Sequence, residues 1–177
     1  MMTELAWRYA TLDDVPVLAR LNKELTEDEG HRNRLQTIEW FAQRMAGFLQ
    51  SEYTAVVLEK EGEAVAYALF RPVGDRENTV YLRQLYVVCR WRRQGVGREM
   101  MRVLRDEVWA PGTTVTVEVM SHNEPARAFY AALGFVETYV GMEAASQQAK
   151  PCATRVDVQG RALSLDGPAS GLADREA

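Results

Sequence analysis

The sequence predicts an α/β fold in which an antiparallel meander of strands is followed by a strand-helix-strand unit, in the order β-α-α-β-β-β-α-β-α-β. Three observations predict it. Apolar residues recur at helical spacing in two early segments, the pattern changes to strand-like runs from Tyr53 onward, and a glycine-bearing turn separates a strand from a helix after Val88.

Trp7 to Ala10 reads as a short strand. Thr11 then stands as an N-cap with Asp13 and Asp14 in the first helical turn, ahead of the apolar stripe Val15, Leu18, Leu21 and Leu25. Thr26 to Arg34 is too polar to extend that stripe, and Gly30 is placed to break it. Ile38, Phe41, Met45 and Phe48 mark a second helix, capped by Thr37. Tyr53 to Glu59 and Glu63 to Phe70 resemble a hairpin turning at Glu61-Gly62, and Arg71 to Asn78, with Pro72 and Gly74, reads as a loop. Thr79 to Val88, rich in Val, Tyr and Leu, is a strand. After the glycine turn, Met100, Met101, Leu104 and Val108 build a helix that ends near Pro111-Gly112. Val115, Val117 and Val119 alternate with polar residues as a further strand. Asn123 caps a helix carrying Ala126, Phe129, Tyr130 and Leu133, Gly134 closes it, and Phe135 to Glu143 reads as the last strand.

One domain over residues 1–144 accounts for these elements. Beyond Ala144 the composition shifts to Ala, Gln, Ser, Gly, Asp and Pro, so residues 145–177 read as a C-terminal extension, with a short hairpin at 154–165 and a mobile end from Gly167. There is no internal repeat.

The 177 residues are 47% hydrophobic and 26% charged, in the range of a globular domain with a core. No apolar run is long enough to span a membrane, and the start lacks a secretion signal. Cys89 and Cys152 lack metal-ligand spacing, which points to thiols in a reducing compartment and a cytoplasmic protein that needs no metal. A net charge of −4 argues against nonspecific nucleic-acid binding. The charge is uneven, however: arginines crowd the segment from Arg83 to Arg105, while Glu24, Glu27, Asp28 and Glu29 form an acidic stretch upstream. Such asymmetry suits an anionic ligand at one site and a cationic one at another.

Arg92-Arg93-Gln94-Gly95-Val96-Gly97-Arg98 is the strongest chemical signal. Glycines at a strand-to-helix turn let main-chain N–H groups point at a ligand, and the helix N-terminus adds partial positive charge. The N–H groups of Arg93 to Arg98 would converge on a diphosphate. The turn lacks the Gly-Lys-Ser/Thr of a nucleotide P-loop and the first glycine of the dinucleotide pattern. A glycine-rich helix start on a basic surface is the plain alternative.

Leu85-Tyr86-Val87 followed by Arg92 to Arg98 resembles the signature motif of the GNAT superfamily of N-acyltransferases. Asn123-x-x-Ala126-x-x-Phe129-Tyr130-x-x-Leu133-Gly134-Phe135 is similar to that family's second characteristic segment, in register with the first. The resemblance implies a mixed, mostly antiparallel central sheet, splayed between two central strands, with helices on both faces. It implies acetyl-CoA as co-substrate. The pantetheine arm would lie along Leu85, Tyr86 and Val87, the diphosphate on Arg92, Arg93, Gln94, Gly95, Val96, Gly97 and Arg98, with further cofactor contacts from Asn123 and Tyr130. Tyr130 matches the family's general acid, and Glu118 matches a position that some members use as proton acceptor. Family members often pair as homodimers, although no residue pattern here demands it.

The implied chemistry is transfer of an acetyl group to a primary amine of a small molecule or peptide, by direct attack in a ternary complex. It needs a deprotonated amine, a polarised thioester and a proton for the departing sulfur. Each residue also has a plainer reading. Tyr130 can be a half-buried helix residue, Glu118 a solvated strand residue, and Asn123 only a cap. An acyl-enzyme at Cys89 is disfavoured because no His lies near it in sequence. In the family the segment between the first two helices commonly lines the acceptor site, which here brings forward Glu27, Glu29 and His31 as substrate-binding residues attracting a cation. An acyl-CoA sensor without turnover and an O-acyltransferase are the competing readings.

Overall fold

The computed structural model describes residues 5–142, and in it five strands form one sheet in the order β1-β2-β3-β4-β5. They are β1 (Ala6–Tyr9), β2 (Thr54–Lys60), β3 (Glu63–Pro72), β4 (Thr79–Val87) and β5 (Thr114–Val117), accompanied by helices α1 (Val15–Asp28), α2 (Ile38–Leu49), α3 (Val96–Val103) and α4 (Glu124–Ala131). The first three pairings are antiparallel and β4 pairs β5 in parallel, so the sheet is mixed and mostly antiparallel. The chain divides into two compact units, Met1–Phe135 and Val136–Ala177, and all of these elements lie in the first.

Both faces of the sheet are covered. Alternation along β2 sends Val56 and Leu58 to a core shared with Met100 and Met101 of α3, and Ala55 and Val57 to a second core shared with Leu18 and Leu21 of α1 and Met45 of α2. The β2–β3 hairpin turns at Glu61 (φ 53°) and Gly62 (φ 79°), the paired left-handed geometry of a tight two-residue turn. Thr37 caps α2 by accepting from the Trp40 N–H, and Thr11 closes a capping box with Asp14.

Three elements differ from the sequence reading. Helix α1 continues through Thr26 to Asp28 and is terminated by Gly30 at φ 62°. Its polar last turn is held by partners distant in sequence: the Tyr86 hydroxyl donates to Glu24 (3.1 Å) and Arg92 pairs with Asp28. The third helix changes winding, with a π-helical turn over Leu104–Val108 after α3. No strand forms over 136–142, where Val136, Val140 and Met142 are 80%, 80% and 95% exposed. Residue types that favour a strand do not by themselves supply the neighbouring edge that a strand requires. Glu143, the extension 145–177, its hairpin at 154–165 and its mobile end lie outside the described residues. No helix among the described residues is long and apolar enough to cross a membrane.

Candidate active site

Strands β4 and β5 part company halfway along. Their pairing runs from Thr79–Thr114 to Leu82–Val117 and stops, whereas β4 continues for five residues, about 16 Å of chain at the usual rise, with its β5-facing side unpaired. A bulge contributes to the divergence. Leu69 faces Gln84 and Phe70 faces Leu82, which leaves Arg83 as the extra residue of β4. The resulting cleft encloses about 950 Å³, at the upper end of the range for cofactor sites.

One end of the cleft is the turn into α3. Arg93 (φ 62°) and Gly95 (φ 84°) are left-handed, and Gly95 occupies the N-cap with no side chain to satisfy the helix. The first N–H groups of α3 therefore have no acceptor in their own helix, and among the described residues no turn hydrogen bond is donated by the N–H of Arg93, Gln94 or Gly95. Successive unpaired N–H groups in such a turn form a concavity suited to an anion. Arg93, Gly95, Gly97 and Arg98 line it. The side chains of three neighbours are engaged elsewhere. Arg92 donates from Nε to the Val87 carbonyl (2.9 Å), pairs with Asp28 and stacks over Tyr86 at 5.2 Å. Gln94 donates to the Arg90 carbonyl at 2.7 Å, and Val96 is buried in the core. Gln94 and Val96, both named from the sequence, are not among the residues that line the cleft.

Midway stand Leu85, Tyr86 and Val87 from β4 and Asn123 and Tyr130 from the opposite wall. Asn123 accepts from the Ala126 N–H (3.2 Å), so it caps α4 while facing the cleft. Tyr130 is 8% exposed and wedged edge-on between Phe129 and Phe135, each 5.2 Å away. Its hydroxyl bonds no other described residue, and burial, assisted by the charge of Glu29, pushes its pKa well above that of a free phenol. Tyr130 is therefore a neutral O–H across the physiological range.

The far end carries His31, Arg44, Tyr81, Arg83 and Glu118, while Glu29 lies beside His122, nearer Tyr130. Tyr81 donates its hydroxyl to Glu118 (3.0 Å), and burial with that carboxylate pushes the phenol up to about 12. Burial also raises the Glu29 carboxyl above its ordinary value. His31 accepts from the Asn33 N–H at 3.1 Å through Nδ1, leaving its proton on Nε2, and burial with Arg32 and Arg44 holds its pKa down. Glu27 does not line the cleft; it pairs with Lys23 on the exposed side of α1. Cys89 is exposed and lies outside the cleft wall. No cluster of three or more potential metal ligands occurs among the described residues.

The sequence reading passed over Tyr81, Arg44 and Arg83. Arg44 carried a signal, since Trp40, Arg44 and Phe48 stand four apart on one face of α2, and Arg44 lies 5.3 Å and 5.4 Å from the two ring centres. Arg83 was marked only as the first of the arginines that crowd the segment to Arg105; its bulge could not be read from residue types.

Comparison with known proteins places this architecture. A sequence search against curated proteins finds no significant match. Solved structures with the same fold include the aminoglycoside N-acetyltransferase AAC(6')-Iy in complex with CoA (15% identity, TM-score 0.66, covering 84% of this chain and 98% of that one). A ribosomal-protein-alanine N-acetyltransferase from Brucella melitensis biovar Abortus 2308 superimposes with TM-score 0.62 at 15% identity, over 81% and 100% of the two chains. A protein from Clostridium acetobutylicum solved with acetyl-CoA gives TM-score 0.61 at 17% identity, over 80% and 96%. The model of the Acetyltransferase (GNAT) family matches residues 15–135, from the start of α1 through the close of α4, and the chain belongs to that family.

Proposed function

We propose that this protein transfers an acetyl group from acetyl-CoA to a primary amine of a small molecule or peptide, by direct attack in a ternary complex in the cytoplasm. The observation that carries the reading is the parting of β4 and β5 after Leu82 and Val117, in line with the unpaired N–H groups at the mouth of α3. The cleft fits the cofactor: an anion cradle at one end, a strand edge with free main-chain groups in the middle, and a phenol beyond. The solved relatives in complex with CoA and with acetyl-CoA support the same choice of acyl donor.

Bound acetyl-CoA supplies a thioester carbonyl and a thiol leaving group. The N–H groups of Arg93 to Arg98 bind the diphosphate, with Arg93 and Arg98 adding charge, while Arg92 acts through its hold on Val87 and Asp28. Main-chain N–H groups near Leu85 to Val87 stabilise negative charge on the carbonyl oxygen, worth about 3 kcal/mol per donor. The acceptor arrives as an ammonium with a pKa near 10, and Glu118, oriented by Tyr81, takes its proton directly or through water. Tyr130 donates its hydroxyl to the departing sulfur. A phenol is a weaker acid than a thiol, about 10 against about 8.5, and burial widens the gap, so a complete transfer to the thiolate is uphill. Its contribution is a hydrogen bond that strengthens as charge builds on sulfur, and solvent restores any proton it gives.

The test is thiol release from acetyl-CoA over a panel of amines, with Tyr130→Phe as control. Turnover on at least one amine, reduced about 10²-fold or more in the variant, supports the proposal. Tight acetyl-CoA binding without turnover on any amine favours an acyl-CoA sensor, and turnover confined to alcohols favours O-acyl transfer.

A further inference from the structure

We infer that Arg44 and Arg83 form a carboxylate-binding subsite at the acceptor end of the cleft, so that the natural acceptor is an amine that also bears a carboxylate. The inference rests on the acetyl-transfer reading above and specifies its substrate class.

Both guanidinium groups are half-buried in the cleft wall and share one aromatic support. Arg44 lies 5.4 Å and Arg83 5.1 Å from the Phe48 ring centre, and Arg83 is also 5.8 Å from that of Tyr53. Ring faces hold guanidinium planes in place but leave their in-plane N–H donors unused. Among the described residues neither arginine has a carboxylate within ion-pair range, whereas Arg8, Arg71 and Arg92 each hold one. The Nε of Arg83 is buried and has no hydrogen-bond partner among the described residues. A buried donor left unsatisfied is costly, and two cations brought together with no carboxylate in ion-pair range repel one another. Burial and the charge of Arg83 lower the pKa of Arg44, in keeping with that repulsion.

Location separates this pair from the diphosphate cradle. Arg83 is the bulged residue of β4, four residues and about 13 Å along the strand from Val87, where the turn into α3 begins. The same cleft also contains Glu118 and, nearer Tyr130, Glu29. Carboxylates for an ammonium and guanidinium forks for a carboxylate, within one cavity, match a zwitterionic acceptor such as an amino acid or a peptide with a free terminus. A planar carboxylate accepts two parallel N–H bonds from a guanidinium, the geometry these donors offer.

The test compares ω-amino acids, whose amine is remote from the carboxylate, with their near-isosteric, uncharged carboxamides as acceptors for the full chain with acetyl-CoA. Binding of an N-acetylamino acid and its amide is measured by calorimetry in the presence of CoA. The expected result is a KM for the acid at least about tenfold below that for the amide, the ratio falling toward one in Arg44→Gln and Arg83→Gln and largely retained in Arg44→Lys and Arg83→Lys. Thermal unfolding identifies any variant that fails to fold, in which case the lysine variants and the wild-type ratio decide. Equal or better use of the amides overturns the inference even if acetyl transfer is confirmed, and so does a preference for aminoalkyl phosphates over the carboxylates. Arginine-dependent binding of the N-acetylamino acid with no turnover on any amine leaves the subsite standing and sinks the acetyl-transfer reading instead.

Discussion

Gly97, in the first turn of α3, lies directly against the Phe129 ring of α4: a Cβ added there would stand 3.2 Å from Cε2 and 3.3 Å from Cζ. This contact joins two sequence motifs separated by some thirty residues. Gly95 is a glycine because its backbone is left-handed (φ 84°), but Gly97 is one because α4 packs onto it.

Gly97→Ala is therefore expected to push Phe129, in the last turn of α4, away from the α3 turn. The KM for acetyl-CoA should rise by about tenfold, with a smaller change in kcat and about 1–3 kcal/mol of lost stability. Steady-state kinetics with varied acetyl-CoA, together with denaturant unfolding, checks both.

Glu118 and Tyr81 should act as a pair. Glu118→Gln is expected to reduce kcat by about 10²-fold or more, while Tyr81→Phe, which removes the 3.0 Å hydrogen bond that orients the carboxylate, should cost less, roughly threefold to tenfold. The double variant should be no worse than Glu118→Gln alone; additive losses would show that Tyr81 acts by another route.

Burial holds the carboxyl of Glu29 above its ordinary value of 4.5 in the fold. Such a group adds to stability below its unfolded pKa and loses that contribution as pH rises through the folded one. Glu29→Gln is thus expected to raise Tm at pH 7, with the gain shrinking to nothing as the pH falls toward about 4. A Tm gain that is constant with pH would contradict the assignment.

Asp14 carries the opposite sign. Arg8 donates to it twice (2.7 and 2.8 Å), the Thr11 N–H once (2.7 Å), and the guanidinium bonds hold its carboxyl below the ordinary 3.8. Its contribution is present above the unfolded pKa and lost as pH falls through the depressed folded value. Asp14→Asn should cost about 1–3 kcal/mol at pH 7 by denaturant unfolding, and the two curves should converge in strong acid.

Local signals carried most of the fold. Thr11, Thr37 and Asn123 mark helix starts because a short oxygen-bearing side chain satisfies N–H groups that nothing else nearby can reach. Glu61-Gly62 marks the hairpin by its left-handed backbone. The anion cradle was legible for the same reason, since its groups are consecutive in the chain. What escaped depended on partners distant in sequence. Helix α1 keeps its polar last turn because Tyr86 and Arg92 meet it, and the segment 136–142 has the residues of a strand without an edge to join. Arg44 and Arg83 come from α2 and a bulge in β4, and only the packed sheet brings them over one ring.

A crystal structure with bound CoA tests the central claim most directly. The diphosphate should accept hydrogen bonds from main-chain N–H groups between Arg93 and Arg98, the pantetheine should run between the separated ends of β4 and β5, and the sulfur should lie beside the Tyr130 hydroxyl. A nucleotide seated elsewhere, or a turn into α3 that stays closed by its own side chains, would contradict it.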